Sequence, residues 1–466
     1  MHTVEAGGAP THRRTIEFDH RSRHRFRHRF GHRRRVPVGT EPAVRARAYT
    51  HAVPLPEQGL TTAEIVANLT AKRANDVRWQ DGRTFGMVYD AGPEAHEAVE
   101  AAALMFLHDN ALNTLAFPSL DEIQSEVVGI TAELLHGAPD AAGFMTSGGT
   151  ESILMGVRAA VERAQAERGI TEPEMVLPIS AHAAFHKAAH YFGVKVNRVP
   201  VDADWRADVD VAASLVNANT ALVVGSAPQY PQGIVDPIPE LAALALEAGA
   251  SFHTDACMGG FVLPFMEQLG MDVPPWDFRV EGVTTISADI HKLGYAPKGA
   301  SIILHRTKAL RRYQTFVFED WLGGFYASPN MQGTRAGLPM ATAWAILHHL
   351  GLDGYRRLTQ TTIETADRMR AGVRAIPGLT VPGDPRAHLL SIVAADPAVD
   401  VFAVGDALAQ RGWFHDRQKP PDALHSTVSA GNAPVIEEYL KDLAECVDQV
   451  AGERLTDRST NYATLE

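Results

Sequence analysis

Two lysines, Lys292 and Lys298, stand six residues apart in SADIHKLGYAPKGAS, residues 287–301, among residues that are mostly small and apolar. The β-branched run TTISAD reads as a buried strand, and the glycines and proline after it read as a tight loop. A lysine at the end of a buried strand is a candidate nucleophile. Desolvation lowers the pKa of an amine, and the neutral amine attacks carbonyls to give a Schiff base. The plainer alternative is an exposed loop lysine.

Three further features bear on the same chemistry. In TSGGTES, residues 146–152, glycines at a helix start expose backbone N–H groups to an anion, and Ser147, Gly148, Gly149 and Thr150 suit a phosphate. Taken alone, such a turn is often only a turn. Asp255 in SFHTDACMGG ends a predicted strand, where open α/β sheets place their ligand crevice. There a carboxylate can keep a pyridine nitrogen protonated, or else simply cap the next helix. His182 in SAHAAFHKAAHYFG follows the strand MVLPIS, so its imidazole can stack on a flat cofactor or serve structurally, as His186 and His190 nearby can. Lys292 comes thirty-seven residues after Asp255, at the end of the next strand. Phosphate cup, stacking ring, ring-nitrogen carboxylate and Schiff-base lysine together point to pyridoxal 5'-phosphate, with no metal required.

The elements that must hold these groups are legible as an alternation. Short apolar runs at MVLPIS, VKVNRVP, TALVVGSA, SFHTDA, TTISAD and SIILH are interleaved with helical patterns such as IPELAALALEAG, which predicts an α/β fold with a mostly parallel sheet. A helix is predicted to start at the TSGGTES glycines, because Ile153, Leu154, Val157, Ala160, Val161 and Ala164 share one helical face. Upstream, LTTAEIVANLTAKRAND reads as a Thr-capped helix, and EAHEAVEAAALMFLHDN and the stretch after LNTLAFPSLDEI as two more. The expected organisation is a basic arm over 1–50, a lead-in over 51–125, a large cofactor-binding domain over 126–338, and a smaller C-terminal α+β domain over 339–466.

Composition narrows the class. The 466-residue chain is 45% hydrophobic and 21% charged, and no apolar run reaches the roughly eighteen residues that a membrane span needs, so no transmembrane segment is expected. Two cysteines, Cys257 and Cys446, without CxxC spacing fit a reducing, cytoplasmic setting and argue against a disulfide framework or a structural zinc site. The first fifty residues carry twelve arginines and four acids, whereas the rest carries 31 basic and 51 acidic residues. That acidic body disfavours nucleic acid as a partner. The Arg/His repeat RSRHRFRHRFGHRRR lacks the periodicity of a packed helix. It reads as a disordered tether to phosphate-rich surfaces, a dispensable tail, or the product of a start placed too far upstream. It has no apolar core of a signal peptide.

Read in order, TSGGTES, HAAFHKAAHYFG, SAPQYPQGIVDPIPE, HTDACMGGF, SADIHKLGYAPKG and DWLGGFYASPNMQGTRAG resemble the sphingosine phosphate lyases within the group II pyridoxal-dependent decarboxylase family, over about Leu55 to Val450. The resemblance implies the fold type I architecture of pyridoxal phosphate-dependent transferases and a homodimer with active sites shared between subunits. It implies that Lys292 is the Schiff-base lysine, Asp255 the partner of the ring nitrogen and His182 the stacked ring. Gly149 and Thr150 match the phosphate cup, and Gly333 and Thr334 match a loop reaching the phosphate from the other subunit. Tyr89, Asn110, Tyr230 and Lys298 match positions facing a small amino substrate, Lys298 being the second active-site lysine. One departure is Asn113 in NALNTLAFP, where the lyases carry a histidine; an amide cannot do the acid–base work of an imidazole. The implied reaction is retro-aldol cleavage of a phosphorylated amino alcohol, with amino-acid decarboxylation as the alternative. A catalytically silent homologue would have lost Lys292 or Asp255, and both are present.

Overall fold

In a computed structural model of the chain, the structure describes residues 55–460, and the basic arm expected over 1–50 lies outside the described residues. The main sheet has seven strands: β1 (Ala142–Thr146), β2 (Glu174–Pro178), β3 (Lys195–Val199), β4 (Thr220–Ser226), β5 (Ser251–Asp255), β6 (Thr285–Ala288) and β7 (Ser301–His305). Their order is β1-β7-β6-β5-β4-β2-β3. Strands β3, β2, β4, β5 and β6 are joined by parallel ladders, while β7 is antiparallel to both β6 and β1. Strands β4 to β7 are buried along their whole length, which is why β4 and β7 read as near-continuous apolar runs rather than alternating ones, while β5 and β6 also bury polar side chains. Strand β1 has no such run. Its Gly143 is there because a Cβ would lie 2.3 Å from the Ile303 carbonyl oxygen of β7.

Helices from Pro118 onward cover this sheet, after two that belong to the lead-in. α1 (Thr62–Lys72) opens on a capping box between Thr61 and Glu64, and α2 (Pro93–Met105) and α3 (Pro118–Leu134) each begin with a proline, which suits a first turn that has no use for its N–H. α4 (Gly149–Arg168) starts at the TSGGTES glycines and buries Ile153, Leu154, Val157 and Ala160, and α5 (Ala184–Phe192) packs Phe185 and Ala188 into the same core.

A hairpin of β8 (Phe316–Phe318) and β9 (Tyr326–Ser328) precedes a long helix, Gly337–Ala375, broken at Gly351 where φ is 53°. Before the break, that helix gives Met340, Ala343 and Ile346 to the main core; beyond it, Ala366, Met369 and Val373 enter a second core. The second core lies under an antiparallel sheet of β10 (Leu379–Thr380), β11 (Leu389–Ala394), β12 (Asp416–Gln418) and β13 (Ala423–Thr427), in the order β10-β11-β13-β12. Phe85 joins it, stacked on His415 at 4.7 Å, so the lead-in is tied to the C-terminal sheet. Among the described residues no helix is long and apolar enough to cross a membrane.

Candidate active site

The residues singled out around Lys292 converge where β5 and β6 end and α4 begins. Asp255, the last residue of β5, is nearly buried, and its Oδ1 accepts from the Cys257 N–H and from the Ser287 hydroxyl, each at 3.1 Å. Lys292 lies in the loop after β6, with Nζ 3.1 Å from Oδ2 of Asp289. Asp289 is buried, which opposes its charge, but Lys292 and then His291 outweigh the burial and hold the carboxyl well below the usual range. Its other oxygen, Oδ1, is buried without a hydrogen-bond partner among the described residues.

His182 follows β2, and its Nδ1 accepts from the Ala184 N–H at 3.1 Å, which puts the proton of the neutral ring on Nε2. Burial lowers its pKa, Asp255 raises it in part, and Lys292 lowers it again, so the ring is neutral near pH 7 and feels both groups. The phosphate turn packs directly on the lysine loop. A Cβ on Gly149 would lie 2.8 Å from both Asp289 Oδ2 and Cys257 Sγ, and one on Gly148 would lie 3.3 Å from the His291 ring. Glu151 in the first turn of α4 pins this corner: one oxygen accepts the Ser147 N–H at 2.7 Å and its hydroxyl at 2.6 Å, and the other accepts the Met331 N–H at 2.9 Å. Ser147 and Thr150 are exposed at the helix N-terminus, where backbone N–H groups and the dipole favour an anion.

Lys298 and Tyr89 form a second group beside the first. Lys298 donates to the His291 carbonyl oxygen at 2.9 Å and stands 4.8 Å over the Tyr89 ring. The residue as a whole is exposed, yet its ammonium is turned inward, and desolvation, followed by the charge of Lys292, lowers its pKa to about 8. Both line a cavity of about 400 Å³ together with Trp79, His96, Glu100 and Tyr295. His96 reaches it held by Asp90, at 3.1 Å between Nε2 and Oδ1.

Of the remaining predicted positions, Tyr230 borders the first group through His182, and Asn110 and Asn113 join neither group within this chain. Tyr230 donates to Asp416 Oδ2 at 3.1 Å and stacks on His425 at 3.9 Å, and it shares with His182 a separate cavity. Asn113 is exposed and its Oδ1 accepts from the Leu115 N–H, closing a local turn. Asn110 is bridged through its backbone to Ala336, next to exposed Gly333 and Thr334. Sequence reasoning passed over Asp289, His291, Glu151 and His96. The first two stand inside the quoted lysine stretch; nothing in the pattern marks His96, whose place depends on how α2 packs.

Comparison with known proteins settles the family. Residues 53–391 match the pyridoxal-dependent decarboxylase conserved domain. The chain belongs to that family. Its relatives include the sphingosine-1-phosphate lyase of Arabidopsis thaliana, 43% identical over 85% of this chain and 74% of that one, and sphingosine-1-phosphate lyase 1 of Rattus norvegicus, 42% identical over 85% and 70%. Among solved structures, the sphingosine-1-phosphate lyase of Burkholderia pseudomallei superposes with a TM-score of 0.82 at 41% identity, covering 87% of this chain and 94% of that one. A glutamate decarboxylase of Lactobacillus brevis, at 21% identity and TM-score 0.75, shares the fold. Membership makes this chain a pyridoxal phosphate-dependent lyase of fold type I, similar to the sphingosine phosphate lyases. The residues fit the cofactor: an amine for its aldehyde, a carboxylate at a strand end, a neutral imidazole, and for its phosphate a helix N-terminus that glycine lets pack against the lysine loop.

Proposed function

We propose that the protein cleaves the Cα–Cβ bond of a phosphorylated long-chain amino alcohol, of the kind named for its relatives, giving an aldehyde and a phosphorylated amine. Lys292 would hold the cofactor, Asp255 its ring nitrogen, His182 its ring face, and Gly149 and Thr150 its phosphate. When bound, pyridoxal phosphate supplies the sink for the electron pair left at Cα. The observation that carries the choice of bond is the Lys298–Tyr89 pair beside the Lys292 loop, on a cavity large enough for a substrate. Retro-aldol cleavage needs a group that takes the proton from the β-hydroxyl as the carbonyl forms, whereas decarboxylation needs none there. Tyr89 supplies a phenol that would relay this proton, accepting the substrate's as it passes its own to a neighbouring base, and Lys298, protonated below pH about 8, supplies a cation for the substrate phosphate. His96 brings an imidazole to the same cavity, in a chain that has Asn113 where the lyases carry histidine.

We further propose that the working unit is a homodimer. α1 buries none of its residues within the chain, and Leu104, Met105, Leu112, Leu115, Leu322 and Phe325 are all more than half exposed. A monomer seldom leaves so much apolar surface in water. A second copy covering it would put Asn110, Asn113, Gly333 and Thr334 at the interface, where they could complete the partner's site. The deciding experiment offers sphingosine 1-phosphate and a panel of amino acids in parallel, with aldehyde and carbon dioxide measured separately. Aldehyde from the phosphorylated base is the expected result. Carbon dioxide from an amino acid, with no aldehyde, would make the enzyme a decarboxylase and leave Lys298 a structural residue.

A further inference from the structure

A row of buried polar groups runs from the interior of the sheet to Asp255. His253 and Asp255 are two apart on β5, Thr285 and Ser287 two apart on β6, and the register pairs His253 with Thr285 and Asp255 with Ser287. The two-residue period of a strand puts all four on one face. Hydrogen bonds link them in sequence. Thr285 Oγ1 lies 2.9 Å from His253 Nδ1, His253 Nε2 lies 3.0 Å from Ser287 Oγ, and Ser287 Oγ lies 3.1 Å from Asp255 Oδ1.

The direction of the row follows from its last member. A carboxylate only accepts, so Ser287 gives it its single proton and can only accept from His253. Nε2 of His253 therefore carries the ring proton, and bare Nδ1 accepts from Thr285. Every proton in the row points toward Asp255, an arrangement in which each bond polarises the next. The imidazole is fully buried, and burial pulls its pKa down to about 4, so it stays neutral and keeps this tautomer. Its seat is built. A Cβ at Gly156 of α4 would lie 3.0 Å from His253 Nδ1, and Phe185 stands edge-on to the ring at 5.7 Å. The helix whose first turn offers the phosphate site thus also makes room for this ring.

We propose that His253 is a positioning residue for the cofactor: through Ser287 it fixes Oδ1 of Asp255 and so presents Oδ2 to the protonated ring nitrogen. Both hydrogen bonds that Asp255 accepts from Cys257 and Ser287 fall on Oδ1, which leaves Oδ2 for that contact. The inference rests on the reading of Asp255 as the ring-nitrogen partner. It gives a purpose to a histidine two residues before the aspartate, where a core strand would otherwise carry an apolar side chain.

The test loads pyridoxal phosphate labelled with 15N in its ring into the wild type, Asp255→Asn, Ser287→Ala, His253→Phe and His253→Gln, and records the ring-nitrogen chemical shift and the cofactor dissociation constant. Ser287→Ala and His253→Phe are expected to weaken cofactor binding about two- to tenfold, the worth of one hydrogen bond, and to move the resonance toward the unprotonated position. His253→Gln, whose amide can still donate to Ser287, should recover much of both. A purely structural role for the row would change the melting temperature and leave the resonance alone. If His253→Phe does not fold, Ser287→Ala decides. Wild-type shift and affinity in folded His253→Phe or in Ser287→Ala, with a displaced resonance in Asp255→Asn, would overturn this inference alone. An undisplaced resonance in Asp255→Asn would overturn the reading of Asp255 itself.

Discussion

The two lysines six residues apart are given different work by their surroundings. Lys292 is paired with a buried carboxylate, Asp289, at 3.1 Å, and sits against the phosphate turn. Lys292→Ala should therefore abolish any borohydride-stable cofactor linkage on the chain, read by mass spectrometry; a surviving linkage would move the role to another amine. Lys298 instead bonds a backbone carbonyl oxygen and stands over Tyr89, and desolvation takes it from 10.5 to about 8. The sign matters. Below about pH 8 it is an ammonium that can hold a phosphate, and above it the charge is lost. KM for a phosphorylated substrate should rise as the pH climbs through about 8, and Lys298→Arg, which keeps its charge, should flatten that rise. Lys298→Ala should raise KM roughly tenfold or more, as loss of a hydrogen bond to a charged group implies. A KM that ignores both the pH and the alanine would show that the phosphate is held elsewhere.

At the scale of the elements, what matters is how closely the phosphate turn and the lysine loop approach. Gly149→Ala would drive a methyl against Asp289 and Cys257, both buried and backed by β5 and β6, so neither can step aside cheaply. Cofactor affinity, followed by absorbance titration, should fall about tenfold or more, an overpacking cost of the usual size. Gly333→Ala meets only Tyr326 Oη at 3.9 Å and should leave the melting temperature of the isolated chain unchanged, so a loss of activity there would point to the partner subunit. This approach was half legible beforehand. The glycines of TSGGTES, the strand-end Asp255 and Lys292 are local signals, readable because strand ends and helix starts have short-range signatures. β1 and β12 were not foreseen, since AGFMT and DRQ lack apolar β-branched runs and owe their strand geometry to pairing, β1 with β7 far away in sequence and β12 with the neighbouring β13. Antiparallel β7 was hidden for the same reason: SIILH reads as a buried strand, but nothing in it sets direction. Asn110, Asn113 and Tyr230 matched by resemblance; within the chain Asn110 and Asn113 close local turns and Tyr230 bonds Asp416, contacts that a strand-and-helix pattern does not carry.

For the molecule as a whole, the buried histidines set the response to acid. His253, His305 and His415 are held at about 4, and His388 and His425 at about 3, in every case first by burial. Free histidine titrates near 6.5, so between pH 6.5 and these values the unfolded chain binds protons that the folded chain refuses. Stability that is complete above pH 6.5 is therefore lost as the pH falls. Down to pH 5 each ring contributes about 2 kcal/mol to that loss, and five together approach the whole of an ordinary folding free energy. Asp236 works in the opposite sense: burial raises it to about 7, so the stability it confers is present below about pH 4 and lost as the pH rises through 7, but it is one group against five. The paired carboxylates Glu174 and Asp400, both held near 2, give way only in stronger acid. The melting temperature should thus be level from about pH 7 to 8 and drop steeply by pH 5. His388 offers the sharpest check, because both of its ring nitrogens are buried without a hydrogen-bond partner among the described residues. His388→Phe removes a titrating ring at no cost in hydrogen bonds, and should stabilise the protein by about 2 kcal/mol more at pH 5 than at pH 8, read by denaturant unfolding at the two pH values. An equal effect at both would show that the acid response comes from carboxylates instead.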